Sequence, residues 1–356
     1  MQTEKAQTAP WSIRAYRPGD ERALVALFER VFGRPITEAH WRWKLKQPPS
    51  PVENVWLAVD GDRLVFHYAG IPTRYRLPSG EVTAMVSVDT MTAPEFQRRG
   101  LLSSVGREIY DTWRAAGVPF VIGLPNERWG SRTGALGWEP LFPLQWLVRP
   151  LRPEAILARR LRLPALARLA FLGAVWNGFW RVRVRRDSAV QVRPVERAGP
   201  EFDQLWQRCG ADAPVSVVRD SAWVNWRYLD APAFAYRVLL AERGGQPIGY
   251  AAYQVETHPG GVAGFIAELF TAQGDSHGRG ALIDQTLATL RSAGADNAIT
   301  LAIPSTPLYD SLKGAGFMRS RGAFSVQIVP LAPDLPMDTL RDPLSWNMAG
   351  GDFDVI

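Results

Sequence analysis

Apolar and polar positions alternate through Val86, Val88, Thr90 and Thr92, and from Leu102 the apolar residues recur at Leu102, Val105, Ile109 and Trp113. The first pattern predicts a strand, the second an amphipathic helix ending at Gly117. Pro94 has no N–H to give a sheet ladder, so the strand stops before it and residues 95–100 form the connection. The same reading places a first strand over 12–16, a turn with a helix cap over 17–20, and a helix over 21–32 with Leu24, Leu27, Phe28 and Val31 on one face. Strands follow over 55–60, 63–76 and 83–92, with turns at Gly61-Asp62 and Ser79-Gly80, and another strand begins at Phe120. Strands joined by tight turns and then a strand, helix, strand unit predict an α/β fold, a mixed sheet with helices on its faces.

The second half of the chain repeats the first. Trp223-Val224-Asn225-Trp226 echoes Trp41-Arg42-Trp43, the segment around His277-Gly278-Arg279-Gly280 echoes that around Gln97–Gly100, and Gly314-Ala315-Gly316-Phe317 echoes Gly134–Trp138. The offsets are 183 for Trp43 and Trp226, 180 for Gln97 and His277, and 179 for Gly137 and Gly316, so one unit recurs with short loop changes. The expected organisation is a flexible N-terminus (1–10), a first domain (11–150), an Arg/Trp-rich helical linker (151–187), a second domain of the same kind (188–330) and a C-terminal tail (331–356). Trp346 and Phe353 are costly to leave in water, so part of the tail is expected to dock.

Composition sharpens the reading at two points. The 356 residues, 46% hydrophobic and 21% charged, are those of a soluble globular protein, and the single Cys209 excludes an intramolecular disulfide and a cysteine-rich metal site. The N-terminus lacks an apolar stretch of secretory type and no segment holds eighteen uninterrupted apolar residues, so the expected location is the cytoplasm. The linker carries nine arginines and no lysine against Glu154 and Asp187, a net of +7 where the whole chain has +6. Its almost unbroken apolar run, Leu169–Trp180, is too short to span a bilayer. One reading makes it a connector packed across the domains with solvated arginines. A second lays it in the inner membrane face as a peripheral contact, with Trp176 and Trp180 at headgroup depth. No nucleic-acid reading motif accompanies the arginines, so nucleic acid is not an expected partner.

The loop Gln97-Arg98-Arg99-Gly100-Leu101-Leu102 before the helix places backbone N–H groups and positive charge at one point, which suits a phosphate. This stretch resembles the acyl-CoA pyrophosphate loop of the GNAT N-acetyltransferase superfamily, Gln/Arg-x-x-Gly-x-Gly/Ala, with Leu102 in place of the last small residue. The Gly134–Trp138 turn resembles the Gly-Phe/Trp turn that closes that family's core. The resemblance covers about residues 11–150 and 190–330 and implies two GNAT-like domains in tandem. It further implies acetyl-CoA or another acyl-CoA as co-substrate and direct acyl transfer to an amine, on a small-molecule acceptor or one linked to a lipid or sugar. Carried over by position, the cofactor would be held by Gln97, Arg98, Arg99, Gly100, Leu101 and Leu102, with the oxyanion donor near Met91 and Thr92 and Asn126 steadying the cofactor arm. Asp89 and its counterpart Glu268 are the candidate bases. The tyrosine acid familiar in the family is replaced by Thr133 in the first half and Leu312 in the second.

Other chemistries find less support. The four histidines show no metal spacing, and no serine sits in a nucleophile elbow. Two alternatives stand beside the acyltransferase reading: a non-catalytic acyl-CoA or partner-binding module, and a tRNA-dependent aminoacyltransferase of the peptidoglycan-bridge type.

Overall fold

The computed structural model describes residues 11–125, 134–183 and 187–354. In the first half β1 (Ser12–Ala15), α1 (Glu21–Phe32), α2 (Glu38–Lys46), β2 (Val55–Asp60), β3 (Arg63–Leu77), β4 (Gly80–Thr92), α3 (Leu101–Ala115), β5 (Phe120–Gly123) and β6 (Glu139–Pro150) follow in order. Two linker helices come next, α4 (Pro153–Arg160) and α5 (Ala170–Arg183). The second half runs β7 (Val190–Val195), α6 (Pro200–Cys209), β8 (Val215–Val217), α7 (Ser221–Val224), β9 (Arg237–Arg243), β10 (Gln246–His258), β11 (Gly261–Thr271), α8 (Ser276–Ser292), β12 (Asn297–Ala302), α9 (Pro307–Gly314) and β13 (Met318–Pro330). The tail contributes α10 (Met337–Arg341), β14 (Trp346–Asn347) and a single turn at Gly350–Asp352. Among the described residues no helix is long and apolar enough to cross a membrane.

The strands form one sheet in the order β1-β2-β3-β4-β5-β13-β6-β12-β11-β10-β9-β7. Read from either edge the order is the same: four antiparallel neighbours, a parallel pair (β4 with β5, β11 with β12), then a final antiparallel strand. That final strand is exchanged, since β5 pairs with β13 and β12 pairs with β6, and β6 and β13 lie side by side at the centre. The repeat in the sequence is therefore a repeat in topology, but each half's sheet is completed by the other half. Period-two patterning cannot reveal this, because it says which residues face the core and not which strand lies alongside.

The tryptophan echo marks the junction of the halves. The Trp43 and Trp226 rings stack with centroids 5.5 Å apart. The Trp43 indole N–H donates to the Trp226 carbonyl at 2.7 Å, and the Trp226 N–H to the Trp43 carbonyl at 2.9 Å. Both rings are buried in a core that runs through both halves and takes in Trp346 and Phe353 of the tail. A second, smaller core lies under α8 and α9 and includes Leu282, Leu287 and Leu290 from α8. Burial of Phe353 alone is worth about 1.5–3 kcal/mol, enough to hold the chain end in place.

Candidate active site

The site begins with an irregularity in β4. Ala69 pairs with Val88 and His67 with Met91, so Tyr68 alone faces two residues, Asp89 and Thr90. This is a β-bulge, and Asp89 adopts a left-handed backbone there, with φ +47. Such a conformation costs about 1–2 kcal/mol for a residue with a side chain, least for Asp and Asn, whose short polar groups bond locally. The bulge is braced from β3, where His67 Nδ1 lies 2.8 Å from the Asp89 carbonyl and must carry the proton it donates. β4 and β5 pair only at Met85 with Val121 and Val86 with Ile122. Past that point the strands part and leave a cavity of about 250 Å³ whose walls include Ser87, Asp89, Gly123, Trp138, Phe353 and Asp354.

Charge is concentrated on one wall. Lys44 of α2 is buried and forms ion pairs with Asp89 and, at 2.9 Å, with Asp354 of the tail. Burial opposes the lysine's charge, but Asp354 and Asp89 outweigh it and push the ammonium up to about 12. Lys44 in turn holds Asp354 below the usual carboxylate range against the effect of its burial. Two carboxylates sharing one ammonium leave this wall with net negative charge, while the exposed Arg34 stands on the cavity's rim. Beneath the opposite wall, Ser87 Oγ donates to the Tyr68 hydroxyl at 3.2 Å, the Tyr68 and Tyr110 hydroxyls lie 2.6 Å apart, and Trp138 Nε1 donates to Tyr110 at 3.0 Å. Burial pushes Tyr68 up to about 12 and Tyr110 well above its ordinary value, so both are neutral hydroxyls that fix Ser87 and Trp138.

Burial holds the His67 imidazole down to about 4, against a smaller opposing effect of the Asp89 carbonyl, and burial with help from Lys44 does the same to His40. Folding thus disfavours their protonation: the stability these neutral rings contribute is complete above pH about 6.5 and is lost as pH falls through about 4. The expected result in an NMR titration is that the His67 ring keeps its neutral shifts until pH about 4. Titration near 6.5 would contradict the brace on the bulge.

The loop expected to hold a phosphate lies between a short turn at Pro94–Phe96 and α3. Arg98 (φ +63) and Gly100 (φ +80) both take left-handed backbone, which turns successive N–H groups the same way. Among the described residues the backbone N–H groups of Arg98 to Leu102 have no acceptor, whereas those of Ser103 and Ser104 return to the Gly100 carbonyl. Gln97 Nε2 donates to the Thr92 carbonyl at 3.3 Å, tying the loop to the strand end, and Arg99 stacks over the Phe96 ring at 4.9 Å. Arg98 is exposed and Leu102 packs partly against the core. Met91 and Thr92 sit past the bulge, in the ladder with β3 opposite His67 and Phe66. Asn126 and Thr133 lie outside the described residues.

The second half has the same parts and closes each of them. β11 carries a bulge at the matching place, between Ile266 and Glu268, and β11 and β12 pair only from Ala263 with Asn297 to Ile266 with Thr300. Where they part, the tail turn Gly350–Asp352 is inserted, and a Cβ on Gly351 would lie 2.0 Å from the Tyr228 hydroxyl and 3.2 Å from the Ala267 carbonyl. Glu268 is not at a cavity: it is 1% exposed, held by Arg219 at 3.0 Å, and Arg219 also grips Asp352 with two contacts of 2.8 Å. The start of α8 is already capped by a carboxylate, Asp275, which accepts from the Gly278 N–H at 2.9 Å. Arg279, the remaining loop arginine, is turned inward to Ser311 and the Ala272 and Gln273 carbonyls. A helix N-terminus that holds its own anion has no place for a second.

Lys44, Ser87, Trp138, Phe353 and Asp354 were not among the residues expected at the site from the sequence. For Asp354 no sequence signal existed, since it lies 310 positions from the lysine that it pairs with.

Residues 12–141 match the family model for the acetyltransferase (GNAT) domain. No curated protein matches the chain. Among solved structures, a GCN5-related N-acetyltransferase from Anabaena variabilis ATCC 29413 is similar with a TM-score of 0.65 at 13% identity, over 90% of this chain and 73% of that one. A conserved protein of unknown function from Enterococcus faecalis V583, called a probable N-acyltransferase, gives 0.64 at 13% identity over 90% and 73%. A GCN5-related N-acetyltransferase from Kribbella flavida gives 0.59 at 15% identity over 89% and 70%. At these identities the likeness is one of fold, and it extends through both halves.

Proposed function

We propose that this chain, whose residues 12–141 match the acetyltransferase (GNAT) domain, is a GNAT-type N-acyltransferase working with a single acyl-CoA, bound by the first half. The observation that carries the reading is the open splay between β4 and β5 beside Asp89; the helix start with unused N–H groups follows β4 in the chain, although none of its residues lines the cavity. The free N–H groups of Arg98 to Leu102 and the Arg98 guanidinium suit the pyrophosphate. The net negative wall made by Asp89, Lys44 and Asp354 suits an acceptor that arrives as an ammonium ion.

In the proposed reaction the ammonium gives one proton to the Asp89 carboxylate, directly or through one water. The free amine attacks the thioester carbonyl, forming the C–N bond as the C–S bond breaks. The second proton, released from nitrogen as the amide forms, ends on the departing thiolate. Lys44 pairs with Asp89 at the cavity wall, and the bulge interrupts the β4 ladder there, where backbone groups could serve the developing oxyanion. The acceptor is an amine small enough to enter beside Phe353.

Calorimetric titration of acetyl-CoA tests this reading. About one acyl-CoA should bind per chain, and an Arg98→Ala/Arg99→Ala variant should bind about tenfold to a hundredfold more weakly, the scale of lost charge-assisted contacts. Absence of binding, to acetyl-CoA and to longer acyl-CoA alike, would make the loop a remnant and the reading wrong. Turnover against a panel of amines then separates an enzyme from a binding module.

A further inference from the structure

The linker is built inside out. In α5 the residues that face the protein are Gly173, Trp176, Asn177 and Trp180, a stripe with helical spacing. Asn177 donates to the Leu151 carbonyl at 2.8 Å and accepts from Arg149, Trp176 donates to the Pro150 carbonyl at 2.9 Å, and Trp180 packs on Gly316. The two tryptophans expected at a headgroup layer are thus turned inward, to the body of the second half. Phe171, Leu172, Val175 and Phe179 form the opposite stripe and face solvent, with Val175 68% exposed. Leu157 of α4 and Leu161, Leu163 and Leu169 of the connection are exposed as well. Eight of the eleven large hydrophobic residues exposed among the described residues lie in this one helical hairpin.

The charge around the patch divides into two sets. Arg152 and Arg159 are spent on the body of the protein, on Asp296 and the Gly294 and Gly260 carbonyls, and Arg181 pairs with Asp284. Arg160, Arg162 and Arg168 are exposed and make no ion pair among the described residues. A polar inner face clamped to the protein, an apolar outer face and free arginines beside it form an amphipathic surface of the kind that lies in a lipid headgroup layer.

We propose that the α4–α5 hairpin docks the protein onto an anionic lipid bilayer, inserting Phe171, Val175 and Phe179 among the acyl chains while Arg160, Arg162 and Arg168 meet lipid phosphates. Charge complementarity selects this occupant. A second copy would bring another net +7 against the first, which disfavours pairing through this face. The inference rests on the surface alone and is independent of the acyltransferase reading.

Sedimentation of the full-length protein with phosphatidylglycerol vesicles tests it, against phosphatidylcholine vesicles and at low salt and about 0.5 M salt. The expected result is low-salt binding to phosphatidylglycerol that is lost in high salt and is much weaker on phosphatidylcholine. An Arg160→Gln/Arg162→Gln/Arg168→Gln variant should partition about a hundredfold less, at about fivefold per arginine. A Phe171→Ser/Phe179→Ser variant should also detach while keeping the parent's circular dichroism and acetyl-CoA titration, since both residues are exposed. No binding to either vesicle overturns the proposal, as does binding that neither variant weakens. Self-association abolished by Phe171→Ser/Phe179→Ser, without vesicle binding, would overturn it in favour of an interface between copies.

Discussion

An Asp89→Asn variant is expected to lower kcat by about 10²- to 10⁴-fold, the usual contribution of a positioned general base, with affinity for acyl-CoA unchanged. Asparagine is nearly isosteric and, with aspartate, is among the few residues that accept a left-handed backbone readily, so the bulge at φ +47 survives. Lys44 keeps its 2.9 Å pair with Asp354, so the substitution does not strand a buried charge. The loop proposed to hold the pyrophosphate starts eight residues further along the chain, beyond Pro94, and is untouched. The split between an unchanged dissociation constant and a collapsed kcat is therefore the signature to look for. A variant that retains the parent's kcat would move the base to Asp354 or to solvent.

Arg219→Met is expected to destabilise the protein by about 3–5 kcal/mol, because it leaves Glu268 and Asp352 buried without their shared cation. Against a total stability of about 5–15 kcal/mol this is severe. The loss should not stay local. Asp352 belongs to the tail turn that fills the second half's cleft, and Phe353 and Asp354 follow it directly into the first half's cavity. Loss of the clamp should thus release the tail turn and lower activity through Phe353 and Asp354, a coupling that urea denaturation and kinetics on the same variant would reveal. Glu268→Gln is the informative control. Burial, with Asp352 adding to it and Arg219 opposing, raises Glu268 to about 7, so the side chain holds a proton near neutrality and glutamine imitates that form. A carboxyl raised above its unfolded value of 4.5 contributes stability that is present below that value and is lost as pH rises through about 7. Glu268→Gln lacks this loss, so its stability relative to the parent should rise between pH about 4.5 and about 7 and stay level above that. A variant as fragile as Arg219→Met would refute the reading of Glu268 as protonated near neutrality.

Much of the first half was legible. Helix α1 spans the residues its periodicity predicts, the β2–β4 meander differs only at its ends, and α3 begins one residue before Leu102. These elements are set by local rules, a period of 3.6 or 2 and punctuation by Gly and Pro, and such rules act within a few residues. The repeat offsets pointed to Trp43 and Trp226, and the structure joins them by reciprocal hydrogen bonds. The echo of Asp89 in Glu268 was equally visible, yet the two carboxylates have opposite surroundings, one lining a cavity and one sealed against Arg219.

What the sequence by itself determined is the sequence of elements, their duplication and the loop that presents free N–H groups at the start of α3. The tertiary structure alone decided three things: that the halves exchange their last strands, that the tail closes one cleft and lines the other, and that α5 turns its apolar face outward. The reason is physical. A side chain's periodicity reports only that it is to be covered or exposed, while the partner that covers it is chosen by shape and charge among groups hundreds of residues away, as Lys44 and Asp354 choose each other across 310 positions.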